Sequence, residues 1–382
     1  MTTRTRGRLR RLLQEFHLWL GVGLALLTVP LGLTGSALVW HDGIDRLLSP
    51  ERYAVSGAGP GLAALAETAL DTLGDGARLT QIRLPEDETS PITMVARPAG
   101  AANPRETVAV WLDPATGKVL DSGPANNGFM RLMHDFHGNL LVPAFSGRQI
   151  VGWLGVALLI LSLTGIYLWW PKRLSLLRAF GWRPRMLPSA NLHHVFGIWI
   201  AIPLALLSFT GIYLSFPQTA RLAVGSITTV SPPGQRGPGG FGGQPLTATV
   251  QTPDAALQAA LAAAPEGAVP RSLSLPTEQN PSWRITFATV EGAMATVGVD
   301  DASGATKAAP PPAATPGDLF GRWMRRLHDG TGMGLIFQTI IFVAGILPTL
   351  FAVTGTMMWL RRRRATRAMA ARRAAAMADS AS

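Results

Sequence analysis

Four stretches of this chain, residues 17–40, 149–170, 193–216 and 335–360, are each apolar over roughly 20 residues, the length an α-helix needs to cross a bilayer. Such a chain folds as a polytopic membrane protein, with everything between the stretches outside the hydrocarbon. Trp19, Trp40, Trp169, Trp170 and Trp359 lie near the ends of the stretches, where interfacial aromatic belts sit. The first stretch follows Arg-rich residues, as in a signal peptide. It is longer than a typical apolar signal region and lacks a small-residue cleavage site, so it reads as a retained helix.

Basic residues set the expected orientation. Of the 34 Lys and Arg, 17 lie before His17, in the 171–192 loop or after Leu360, and those three segments contain only Glu15 and Asp379 as acids. The positive-inside rule puts both termini and that loop in the cytoplasm. The net charge of +11 is thus topogenic, and no nucleic-acid surface is expected. Cysteine is absent, which excludes thiolate-bound iron-sulfur clusters and covalent c-type haem and leaves histidine as the metal ligand to consider.

The four apolar stretches share a second feature. Each has histidine at or before its start and Thr-Gly near its end: His17 with Thr34-Gly35, His137 with Thr164-Gly165, His193 with Thr210-Gly211, and His328 with Thr354-Gly355. His17 and His193 stand 17 residues before their Thr, and His137 and His328 stand 27 and 26 before theirs, so the two halves of the chain match. Ionisable side chains at a bilayer boundary point to function, and paired histidines on facing helices are how a membrane protein holds haem iron.

The expected pairs are His17 with His193 at the cytoplasmic face and His137 with His328 at the opposite, external face. His194 is an alternative to His193, although neighbours on a helix point about 100° apart and cannot both face one iron. His134 is a substitute for His137, and His41 lies near the outer site. Zinc or copper is the alternative metal, against which the scattered histidines form no tight motif. Each Thr-Gly pair either leaves room for a porphyrin face or simply permits close helix packing. Arg131, Arg148, Arg322, Arg325 and Arg326 surround the outer histidines in sequence, where they can pair with haem propionates, an anionic ferric chelate or lipid headgroups.

The expected organisation is a basic N-terminus (1–16), a first span (17–40), an external domain (41–148), a second span (149–170), a cytoplasmic loop (171–192), a third span (193–216), a second external domain (217–334), a fourth span (335–360) and a basic tail (361–382). Within the first external domain, Leu62–Leu73 reads as a helix, followed by strands at Thr80–Leu84, Ile92–Ala96 and Val108–Leu112 and a turn at 113–117. The second repeats that order, with a helix from Asp254 to Ala263, strands at Ser272–Leu275, Trp283–Phe287 and Ala295–Val299, and a turn at 300–304. Repetition of the same turn after the same elements predicts an internal duplication. Residues 231–245 and 308–316 are Pro/Gly- or Pro/Ala-rich connectors, and the Ala-rich tail after Arg373 reads as frayed or a short helix.

Taken together, His17-Leu-Trp-Leu-Gly21, Leu132-Met-His-Asp-Phe-His137, Gly147-Arg148, Thr164-Gly-Ile-Tyr-Leu-Trp169, Leu192-His-His194, Gly197, Leu327-His-Asp-Gly330, Thr354-Gly355 and Trp359-Leu-Arg-Arg362 resemble the PepSY-associated transmembrane family. The resemblance spans nearly the whole chain. It implies four membrane helices and two small α+β periplasmic PepSY-like domains in a bacterial inner-membrane protein linked to iron uptake. It further implies similarity to di-haem siderophore reductases, hence b-type haem (two), a ferric siderophore as substrate and, without a flavin domain in this chain, a separate electron donor such as a reductase or a membrane quinol. The rival expectations are a membrane-anchored PepSY binding module without redox activity, and a transport subunit for iron or its chelate. The absence of acidic residues inside the spans argues against a cation pathway.

Overall fold

In the computed structural model, residues 3–56, 59–101, 106–125, 128–171, 179–184, 186–231, 243–290, 294–309 and 315–381 are described. Most of the 231–245 connector, the centre of the 308–316 connector, and residues 172–178 and 185 of the expected cytoplasmic loop lie outside them. Two compact units result. One comprises Met1–His41, Leu132–Val230 and Pro316–Ser382; the other comprises Asp42–Arg131 and Ser231–Thr315.

The first unit is helical. Its long helices are α1 (Thr3–Val39), α5 (Gly147–Trp169), α6 (Pro188–Ser215) and α10 (Gly334–Ala381), and each contains a segment long and apolar enough to cross a membrane. They are numbered around α2 (His41–Leu48), α3 (Leu62–Leu73) and α4 (Phe129–Asn139), then α7 (Pro217–Gly225), α8 (Pro253–Ala262) and α9 (Pro316–Asp329). Large apolar side chains on the spans stay open, Leu26 by 83% and Ile202 by 70%, a surface that suits lipid rather than water. The tail departs from expectation: α10 continues to Ala381, because Ala and Arg are strong helix formers and no Gly or Pro interrupts them after Gly355.

Small residues set the helix contacts. A Cβ at Gly32 of α1 would clash with the Gly345 carbonyl of α10, and Ser36 Oγ donates to Phe342 O at 2.8 Å. At the α5–α6 contact a Cβ on Gly155 would sit 3.1 Å from Ile212 Cγ1. This is the close backbone approach by which membrane helices associate. Pro30, Pro203 and Pro348 lie inside α1, α6 and α10 without ending them, as neighbouring groups in a membrane bundle permit.

The second unit is an antiparallel sheet of β1 (Arg78–Arg83), β2 (Ile92–Arg97), β3 (Val108–Leu112), β4 (Val119–Pro124), β5 (Val269–Ser274), β6 (Ser282–Ala288), β7 (Met294–Asp300) and β8 (Thr306–Ala309). The order is β4-β3-β2-β1-β5-β6-β7-β8. Two separate small domains were expected. Instead the two external segments join where β1 pairs with β5, Gln81 opposite Ser274, Ile82 opposite Leu273 and Arg83 opposite Ser272. Either half alone would expose β1 or β5 as an unpaired edge and have half the core. Together they bury Leu65, Ile82, Met94, Leu112, Leu273, Trp283, Ile285 and Phe287 in one cluster, the large side chains contributing about 1.5–3 kcal/mol each.

Carboxylates organise the sheet unit, Asp113 and Asp301 buried and Asp254 half-buried. Asp254 accepts from Leu62 N and Ala63 N, both at 2.8 Å, and so caps α3 from the first turn of α8. Asp113 accepts from Ser56 N (2.9 Å), Ser56 Oγ (2.6 Å) and Thr116 Oγ1 (2.7 Å). Burial alone would raise the Asp113 carboxyl, but these bonds and one from Ala115 N outweigh it and hold the group well below the usual carboxylate range. Asp301 accepts from Val250 N, Gln251 N and Trp283 Nε1 at 3.0, 3.1 and 2.8 Å. The two turns close alike, with Gly117 and Gly304 at φ 72° and 70° donating to the carbonyls of Asp113 and Asp300 at 2.9 Å.

Candidate functional site

Within the helical unit the structure brings four of the seven histidines together as two pairs. His17 of α1 and His193 of α6 have ring centroids 6.4 Å apart with planes at 81°. His137 of α4 and His328 of α9 are 6.1 Å apart at 45°. The members of the second pair sit on short helices that precede α5 and α10, not on the spans themselves. The α4–α5 junction aims His137 inward through three left-handed non-glycine residues, Leu140, Leu141 and Ser146, a costly backbone that the surrounding packing must hold.

Every paired ring rests on a Thr-Gly turn of another helix. His17 Nδ1 lies 2.8 Å from Thr164 Oγ1 of α5, and His193 Nδ1 lies 3.1 Å from Thr354 Oγ1 of α10. His328 Nδ1 is 3.0 Å from Thr210 Oγ1 of α6, and His137 Nδ1 is 2.9 Å from the Leu31 carbonyl, one turn before Thr34-Gly35 in α1. At Gly35 and Gly211 the missing side chain gives the ring its room. A Cβ would lie 2.6 Å from His137 Cε1 at Gly35, 3.2 Å from His328 Cε1 at Gly211, 3.4 Å from His17 Cε1 at Gly165 and 3.8 Å from His193 Cε1 at Gly355. Close packing of helix on helix, one of the two sequence readings of Thr-Gly, here takes the form of an imidazole seat. The order of the spans places each Thr-Gly at the depth of the histidines of the other two helices, but the spacing of His and Thr within one segment does not say which ring meets which Thr.

The remaining sequence candidates are elsewhere. His134 is exposed, its Nδ1 4.0 Å from Asp135 Oδ1. His194 turns away from His193 toward Trp169, with ring planes 27° apart and Nε2 3.3 Å from Ala179 O, as the 100° step between helical neighbours requires. His41, exposed at the start of α2, joins neither pair. Arg148 donates to Leu214 O at 2.5 Å, and Arg326 donates to Thr331 O and Gly332 O at 3.2 and 3.1 Å while lying over Trp323. Arg131, Arg322 and Arg325 are exposed on α4 and α9.

The donor set limits the metal chemistry. Among the described residues no group of three or more His, Cys, Asp or Glu could hold an ion, so each site offers two imidazoles and nothing more. Protein zinc sites take three or four such ligands. Two are what a metal needs when a macrocycle already fills its other positions, as in haem. The separation agrees: two metal–nitrogen bonds of about 2 Å plus half an imidazole on each side come to roughly 6 Å.

The sequence profile described as PepSY-associated TM region matches residues 14–362. The chain belongs to that family. A search of curated proteins gives no match. Both histidine pairs of this PepSY-associated TM protein, and all four Thr-Gly turns, fall inside the matched region. With four membrane-length helices, it is a multi-pass membrane protein.

Proposed function

We propose that the protein is an inner-membrane electron conduit that holds one b-type haem between His17 and His193 and a second between His137 and His328, and passes electrons to a ferric siderophore on the periplasmic side. The observation that carries this reading is the pairing of four histidines at 6.1 and 6.4 Å with no third protein ligand among the described residues. The two sites are far enough apart to serve opposite membrane faces. Thr34, beside the seat of His137, lies 17 residues along α1 from His17, roughly 26 Å of helix against about 30 Å of hydrocarbon.

Haem, when bound, supplies a reversible one-electron change at iron; the chain's own residues hold and orient it and keep water from the iron. The paired imidazoles would hold the iron, and the Thr-Gly turns would fix their rings. The distribution of basic residues favours cytoplasmic termini, which makes the His17–His193 site the entry and the His137–His328 site the exit. A separate reductase or a quinol supplies the electrons. Reduction releases iron because Fe(II) is less charged and softer than Fe(III), so an oxygen-rich chelator holds it less tightly.

We read the sheet unit as two PepSY-like halves arising from duplication, a reading supported by the mirrored strand order about β1–β5 and the matching turns at 113–117 and 300–304. The test mixes the dithionite-reduced protein anaerobically with a ferric hydroxamate siderophore and a ferrous trap. The expected result is reoxidation of the protein's visible bands with about one Fe(II) trapped per electron lost. Bands that stay reduced while free ferric citrate is also ignored contradict the reading.

A further inference from the structure

We propose that Thr164, Thr354 and Thr210 are positioning residues that fix the protonation of the paired imidazoles, a step that rests on the haem reading above. Each hydroxyl has one proton, and each already donates it within its own helix: Thr164 to Ile160 O at 2.7 Å, Thr354 to Leu350 O at 2.7 Å and Thr210 to Leu206 O at 2.9 Å. Toward histidine such an oxygen can only accept. The Nδ1 atoms of His17, His193 and His328 therefore carry the proton and donate it to Thr164, Thr354 and Thr210. His137 reaches the same state by another route, since its partner, the Leu31 carbonyl, is an acceptor by nature.

All four rings thus share one tautomer, with the lone pair on Nε2. Each pair therefore offers two Nε2 lone pairs and no Nε2 proton, the state in which an imidazole ligates a metal. The Nδ1–H bond does more than aim the ring: an imidazole that donates from Nδ1 is a more basic ligand at Nε2. The Thr of the Thr-Gly turn supplies the acceptor at three of the seats, and the Gly supplies clearance at Gly35 and Gly211. Thr34 is the exception, its hydroxyl being directed to Pro30 O and Leu31 O at 2.8 and 3.0 Å.

The test uses the full-length protein purified from haem-supplied cells, with Thr164→Val, Thr354→Val and Thr210→Val, the corresponding Thr→Ser variants, and Thr28→Val as a control. Thr28 is also buried and donates within its own helix, to Leu24 O at 3.1 Å, without touching a histidine. Each of the three test Val variants should weaken haem retention at its own site by about ten- to a hundred-fold or, where haem stays, raise that site's midpoint potential, with the other site unchanged. The Ser variants should restore both readouts, and Thr28→Val should match the parent. Val variants with parental haem content and potentials overturn the inference alone, as does equal haem loss in Thr28→Val. A parent protein without haem overturns the haem reading and this inference with it.

Discussion

The two units satisfy buried polar groups by opposite means. In the sheet unit, the carboxylates Asp113 and Asp301, each 4% exposed, are satisfied by three or four donors apiece. In the helical unit the buried polar groups are neutral: Thr34, Thr210 and Thr354, each at most 8% exposed, return their protons to their own helices, and two of them also meet histidine. The contrast follows from the surroundings, since a charge deprived of water inside a bilayer costs far more than a hydroxyl or an imidazole. It also separates the roles, because the carboxylates hold backbone while the hydroxyls hold rings whose remaining nitrogen is left for a ligand.

Substitutions in the helical unit should therefore read out in bound cofactor. The largest effect is expected from His17→Ala or His137→Ala, each of which should lower the haem content from about two to about one per chain. His134→Ala and His194→Ala should leave it unchanged, since neither ring belongs to a pair. Haem measured on the four purified variants checks this, and a loss in His134→Ala equal to that in His137→Ala would reassign the outer ligand.

The glycines offer a finer comparison. At Gly35 a methyl would meet His137 Cε1 at 2.6 Å, whereas at Gly355 it would meet His193 Cε1 at an ordinary 3.8 Å. Gly35→Ala should displace the His137 ring at a cost of about 1–3 kcal/mol and empty or convert the outer site to high spin. Gly355→Ala should leave both sites low spin. Electron paramagnetic resonance of the oxidised variants distinguishes the two, and identical spectra would mean that the glycines serve the helices rather than the rings.

The sheet unit should respond to pH instead. Because the folded Asp113 carboxyl lies below its unfolded value, its contribution is fully present above the ordinary carboxylate range and is lost as pH falls through that range toward the depressed folded value. Asp113→Asn should lower the thermal midpoint of the sheet signal at pH 7, where an unmatched buried donor costs about 1–3 kcal/mol, while leaving haem content alone. The gap between parent and variant should shrink between about pH 5 and pH 3. Circular dichroism melts at several pH values check the sign, and a gap that widens on acidification would contradict the assignment.

Much of this architecture was legible in the sequence. The spans showed as apolar length, and six of the eight strands and both flanking helices of the sheet unit showed as alternation bounded by turns. The fusion of two expected domains into one sheet was not legible, because in the β1–β5 seam only the Ile82–Leu273 pair is apolar and it is flanked by Gln81, Arg83, Ser272 and Ser274, so nothing in the pattern says that these two strands pair with each other. The two histidine pairs followed from matching the halves of the chain. The span order put each Thr-Gly at the depth of a histidine pair, but which Thr each ring meets was hidden, since His17 meets Thr164 across 147 residues and two different helices. His134 and His137 could not be ranked from spacing alone; the turn of α4 places one ring inward and leaves the other exposed.

The most direct test of the account is the haem-to-protein ratio of the detergent-purified full chain by pyridine haemochrome, together with its reduced visible spectrum. The account predicts about two b-type haems per chain with a low-spin, bis-histidine spectrum. A protein that binds no haem after expression with ample haem supply would contradict it and leave the paired histidines as structural contacts in a membrane-anchored binding module.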